Sequence, residues 1–251
     1  MRFEQRSGRG HSHRMETGQK NRVLRSLAPE TRRAVLDACE RVELDAGTVL
    51  AHTGEPTPAL HFPETAVVST LASYSDGSTI EMANVGREGC TGIGLILGDG
   101  RQLNTNQVQI GGAALTLTPQ ALDPLRRDHP DFESMLLSVV QAIFYQVLVS
   151  GACNGTHSAR QRLARWLLTM SDRTDDETMP LTQEFLSDML GVRRPTVTQA
   201  AAELQREGRI DYARGRIRVL DHGALREASC ECYDLVRAAY DTLLPEIDGM
   251  A

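Results

Sequence analysis

No stretch of this 251-residue chain approaches the ~20 uninterrupted apolar residues that a membrane-spanning helix needs. The richest segment, residues 135–152, is broken by Ser138, Gln141 and Gln146, so it reads as a buried or paired helix with no membrane as partner. Residues 1–25 lack the apolar centre of a secretory signal and hold seven basic and two acidic residues, which predicts a cytoplasmic protein. Cysteine is sparse and odd in number: Cys39, Cys90, Cys153, Cys230 and Cys232 suit neither a disulfide framework nor paired zinc knuckles, and read as reduced thiols. Catalytic signatures are missing as well. There is no Ser/His/Asp order, phosphate loop, metal triad or nucleophile elbow, and the run from Gly92 to Gly94 lacks the further glycine and strand-to-helix setting of a dinucleotide fingerprint. The sequence therefore predicts no enzyme, no cofactor and no metal.

The composition that remains, 41% apolar and 24% charged, is that of a soluble globular protein long enough for two modest domains. Its net charge of −6 is unevenly spread. Residues 191–220 carry seven arginines against three acids, the local excess expected of a DNA-reading face on an acidic protein.

Residues 1–20 have no apolar periodicity and read as a basic tail, whose Gly-His-Ser-His-Arg piece is polar linker rather than a metal site. Helical spacing over 21–38 predicts one helix there. From Arg41 to Thr118, short apolar runs alternate with turn residues: 42–44, 49–50, 66–71, 79–85, 107–110 and 113–117. Many short strands at this spacing predict a compact β-barrel or roll over 21–129. At Pro130 the period changes. Phe132, Met135, Leu136, Val139, Val140, Ile143, Phe144, Val147 and Leu148 follow helical spacing on more than one stripe, so one face can meet the β-domain and another a second subunit. Gly151, Asn154 and Gly155 are expected to end this helix (130–154), and a further helix from His157 to about Met170 opens a C-terminal domain over 155–222, followed by a helix at 224–244 and a tail.

The densest signal begins at Leu181. Thr182 is a good N-cap, Glu184 complements the first turn's dipole, Leu186 and Leu190 share a face, Gly191 supplies a turn, and Pro195 fits the start of a second helix. Val197, Ala201 and Leu204 then face inward, which completes a helix-turn-helix. Arg193, Arg194, Thr196, Thr198 and Gln199 point outward; Arg can pair with guanine, Gln with adenine, and Thr with a phosphate or a thymine methyl. Two alternating strands about an Arg-Gly turn follow, a β-wing that offers Arg214, Arg216 and Arg218 to the phosphate backbone.

On this helix-turn-helix, Leu-Thr-Gln-Glu-Phe-Leu-Ser-Asp-Met-Leu-Gly-Val-Arg-Arg-Pro-Thr-Val, the chain resembles the Crp/Fnr superfamily of bacterial transcription regulators over about residues 21–245. The resemblance implies an α+β protein: a jelly-roll-like β-roll sensor domain of the cyclic-nucleotide-binding type with turns at Gly47, Gly54, Gly77 and Gly98, a dimerisation helix from Pro130, and a winged helix-turn-helix. It also implies that a homodimer binds two-fold symmetric double-stranded DNA through Arg194 and Gln199 above all, with RNA polymerase as a further partner. Pro195 stands where cyclic-AMP regulators carry Glu, which implies a different operator.

The sensor departs from the family pattern. Glu88 can mimic the acid of its Gly-Glu pair, but Asn104 and Thr105 fall at its phosphate-holding Arg-Ser pair and Arg101 lies three residues early, so cyclic AMP is not the expected effector. An iron-sulfur cluster needs about four thiolates, and the first 38 residues have no cysteine. Cys230 and Cys232, at i and i+2 of an expected helix, point apart and are assigned to packing; His52, His61 and His129 follow no ligand spacing. A competing reading is a signalling module whose helix-turn-helix contacts protein instead of DNA.

Overall fold

The computed structural model describes residues 19–75 and 79–246. The expected basic tail up to residue 18 and the turn at Asp76-Gly77 lie outside the described residues. The single helix expected over 21–38 is two, α1 (Arg22–Arg25) and α2 (Pro29–Ala38). Pro29 disfavours helical geometry in the residue before it, and Ala28 takes φ −55°, ψ 147°. Fully buried Asn21 caps α1 and donates its side-chain amide to the Pro63 and Gly89 carbonyls, both at 2.9 Å, which ties this segment to the β-domain.

That domain holds seven strands: β1 (Glu40–Leu44), β2 (Val49–Ala51), β3 (Leu60–Pro63), β4 (Val67–Ser73), β5 (Thr79–Val85), β6 (Thr105–Ile110) and β7 (Gly112–Leu117). They form two antiparallel sheets, ordered β1-β7-β3 and β2-β6-β4-β5. Every expected run is a strand. β3 was not expected, because all four of its residues are buried and no alternation marks it. Two helices also add to the expectation: α3 (Ile93–Leu97) follows the glycine-rich stretch, and α4 (Pro119–Asp128) is capped by Thr118.

Helix α5 (Pro130–Thr156) runs 27 residues and does not stop at Gly151 or 154–155. By length and composition alone, with a mean hydropathy of 1.7 over its most apolar window, it passes a test for membrane crossing that buried core helices pass as well. One side, Phe132, Leu136, Val139 and Ile143, is buried in the core beneath the β-domain. The opposite side leaves Leu137, Phe144 and Leu148 exposed.

The C-terminal domain starts with α6 (Ala159–Arg173), whose N-terminus is closed by a reciprocal capping box between Ser158 and Gln161. It continues through β8 (Thr178–Pro180), α7 (Gln183–Leu190), α8 (Arg194–Arg206), β9 (Ile210–Ala213) and β10 (Arg216–Val219). β8 was not expected and pairs with β10 as the third strand of the wing sheet. The helix expected at 224–244 is broken into α9 (His222–Ala228) and α10 (Cys232–Leu243). Ser229 turns extended (ψ 175°) while its hydroxyl donates to the Arg226 carbonyl at 2.8 Å, a local bond that replaces helix continuation. Cys230 therefore lies outside either helix. Helix α10 returns to the first domain, with Tyr240 and Leu244 buried in the same cluster as the inner face of α5.

Candidate nucleic-acid interface

Thr182 caps α7, its hydroxyl accepting from the Phe185 amide at 3.2 Å, and Leu186 and Leu190 are buried. The helix ends at Gly191, in the left-handed region (φ +60°), where an L side chain is strained. Arg193 occupies the N-cap of α8, and Val197, Ala200, Ala201 and Leu204 bury its inner face. Full burial of Val197 and Leu204 contributes about 1.5–3 kcal/mol each, which fixes the orientation of the outer face. That face is Arg193, Arg194, Thr196, Thr198 and Gln199, all exposed.

The wing hairpin turns through Arg214 (φ +51°) and Gly215 (φ +73°), flanked by the Ala213–Arg216 pair. Two consecutive positive φ values make the tight hairpin turn that matches strand twist, and here one of them falls on an arginine. The Leu181 amide donates to the Gly215 carbonyl at 2.8 Å, so the wing tip is tied to the start of α7. Thr182, Gln183, Arg194, Tyr212 and Arg214 line one groove of about 420 Å³. Among the described residues, Arg193, Arg194, Arg214, Arg216 and Arg218 form no ion pair. Thr198 bonds Gln183 Oε1 and the Arg194 carbonyl, both at 3.0 Å, and Gln199 donates to Glu203 at 3.1 Å. Gln183 and Tyr212 were not singled out from sequence; the place of Gln183 directly after the cap was the signal for the first.

The candidate effector residues are divided. A cavity of about 290 Å³ in the β-domain is lined by Arg101 and Asn104, with Thr91, Gln102 and Asn106. Gly94 permits its shape, since a Cβ there would lie 2.6 Å from the Arg101 carbonyl. Arg101 is exposed, with Nε 3.7 Å from Asp99. Thr105 bonds Thr53 at 3.2 Å and is not part of the lining, and Glu88 is elsewhere altogether. Its carboxylate is held by the buried Arg173 of α6, with Nε to Oε2 at 3.1 Å, so it bridges the two domains.

Around that bridge lies a second cavity of about 530 Å³, where Arg22, Arg87 and Arg173 are answered by Asp241, Asp175 and Glu88. Nearby, Glu81 accepts from Ser69 (2.5 Å), Asn84 (2.7 Å) and the Trp166 indole (3.1 Å). Burial raises its pKa above the usual carboxylate value, against the lowering effect of those bonds and of Arg173. None of this network was visible from sequence, because its members lie far apart along the chain.

A family model for the Crp-like helix-turn-helix domain matches residues 161–228. No curated protein matches the sequence. Among solved structures, the chain is similar to FixK2 from Bradyrhizobium japonicum at 16% identity (TM-score 0.65, covering 76% of this chain and 98% of that one). It is also similar to a CRP-family transcriptional regulator from Thermus thermophilus, TTHB099, at 23% identity (TM-score 0.61, covering 76% and 96%). A third likeness is to the c-di-GMP-responsive global regulator CLP from Xanthomonas campestris, at 14% identity (TM-score 0.61, covering 77% and 100%). Residues 161–228 are thus a Crp-like helix-turn-helix domain, set in a chain with the fold of the Crp/Fnr superfamily of DNA-binding transcription regulators.

Proposed function

We propose that this regulator binds a two-fold symmetric operator as a homodimer, joined along the exposed side of α5, and does so without cyclic AMP. The observation that carries the reading is the convergence of unpaired arginines at the start of α8 and the tip of the wing. Arg194 and Gln199 read base edges, Arg193, Thr196 and Thr198 support them, and Thr182, Arg214 and Arg216 hold the phosphate backbone. Two copies related by a dyad set their α8 helices one turn of DNA apart, about 34 Å. Against cyclic AMP stands the β-domain cavity, whose one arginine, Arg101, is exposed beside Asp99, so no buried cation is left for a phosphate. The cavity remains the place for an effector of other chemistry, with Arg101 and Asn104 as contacts, and RNA polymerase is the partner through which bound DNA is put to use.

Selection of sites from a random DNA pool by the full-length protein, without added ligand, tests this. The expected result is a symmetric motif that Arg194→Ala no longer enriches; each lost bidentate contact removes about 1–3 kcal/mol of discrimination, counted once per half-site. A motif without symmetry, or one enriched equally by the variant, overturns the reading.

A further inference from the structure

Cys153 and His157 lie one helical turn apart where α5 ends, and Cys230 and Cys232 flank the break between α9 and α10. The break brings all four together: the three sulfur atoms and a ring nitrogen of His157 lie within 4.8 Å of one another. Cys153 Sγ is 3.5 Å from Cys230 Sγ, and Cys232 Sγ is 3.7 Å from His157 Nδ1. A tetrahedral ion with metal–sulfur bonds of about 2.3 Å and a metal–nitrogen bond of about 2.0 Å has ligand–ligand edges of roughly 3.5–3.8 Å. Two of the six edges, at 3.5 and 3.7 Å, fall in that range, and the others lie within 4.8 Å. A disulfide needs sulfurs at about 2.05 Å and only two of these residues.

We propose that Cys153, His157, Cys230 and Cys232 form a closed Cys3His site for one structural Zn2+-class ion. The donor set excludes hard cations such as Ca2+ and Mg2+, which take oxygen ligands, and four protein ligands leave no open position for catalysis. All three cysteines are buried, at 0%, 3% and 5% exposure, so the ligands are preorganised rather than gathered from a mobile surface. With Nδ1 turned to the sulfurs, His157 presents Nε2 to the Glu231 carboxylate at 3.3 Å. A carboxylate behind a ligating imidazole fixes its tautomer and orientation. The ion would fasten the far end of α5 to the α9–α10 break, at the joint between sensor and DNA-binding domain.

Full-length protein is stripped with chelator under reducing conditions, reloaded with Zn2+, desalted and examined by metal analysis and X-ray absorption. One ion per chain with a shell of three sulfurs and one nitrogen is expected, and Co2+ in its place should show the intense visible bands and thiolate charge transfer of a tetrahedral centre. The double variant Cys230→Ser/Cys232→Ser should lose those bands, and Glu231→Gln should weaken Zn2+ by about 10- to 100-fold. The wild-type shell does not depend on whether the variants fold. No retained metal, or a shell of nitrogen and oxygen alone such as His11 and His13 of the N-terminal segment could supply, overturns the proposal. So does a Cys153–Cys230 disulfide that persists in reductant.

Discussion

On β3, His61 is 8% exposed, and its Nδ1 lies 3.3 Å from the Thr91 hydroxyl. Burial lowers its pKa from 6.5 to about 4. The unfolded chain takes up a proton there as pH drops below about 6.5, while the folded chain does so only near 4, so stability falls across that window with decreasing pH. At pH 5 the loss comes to about 2 kcal/mol. Urea denaturation of His61→Gln should show that much less loss between pH 7 and pH 5 than the parent; parallel curves would mean that the ring is solvated. Burial of this kind is not readable from sequence, where His61 follows no pattern. The caps were readable, because Thr182 and Gly191 act within one turn of themselves. Glu88 was not, because what decides its role is Arg173, 85 residues away.

The long helix α5 carries its own pattern. Leu137, Gln141, Phe144, Leu148, Gly151 and Gly155 are all exposed and recur at alternating steps of four and three, the spacing on which the proposed pairing of two α5 helices rests. A Cβ at either glycine would have nothing within 4 Å, so two such helices can approach closely there. Phe144→Glu, counted twice across a symmetric interface, should remove about 3–6 kcal/mol of association and raise the dimer dissociation constant by about 10²- to 10⁴-fold. Sedimentation equilibrium reads this directly, and an unchanged constant would place the interface on another surface. Periodicity exposed α5 and the alternating strands to sequence analysis because each has a face to repeat. It could not reveal β3, uniformly buried, or the break at 229–231, which is set by one serine side chain.

Between the domains, Glu81 of β5 meets Trp166 of α6, and Glu88 meets Arg173. Since burial raises the Glu81 pKa above 4.5, the folded chain holds that proton more tightly than the unfolded one. The junction is therefore favoured at low pH and weakens as pH climbs through the raised value. Glu81→Gln keeps an oxygen for Trp166 and removes the charge, so it should raise the melting temperature at neutral pH and flatten its decline as pH rises above 4.5. A variant that melts lower at every pH would mean that the charged hydrogen bonds outweigh the desolvation.

Val67 and Ile110 of the β-domain belong to the same hydrophobic cluster as Trp166, Leu186 and Leu204. The reading head is consequently not a detachable cassette. Cut free at the end of α5, it would carry a raw apolar wound where β4 and β6 had been, and fragments healing that wound against each other would associate through a surface that the whole chain keeps covered.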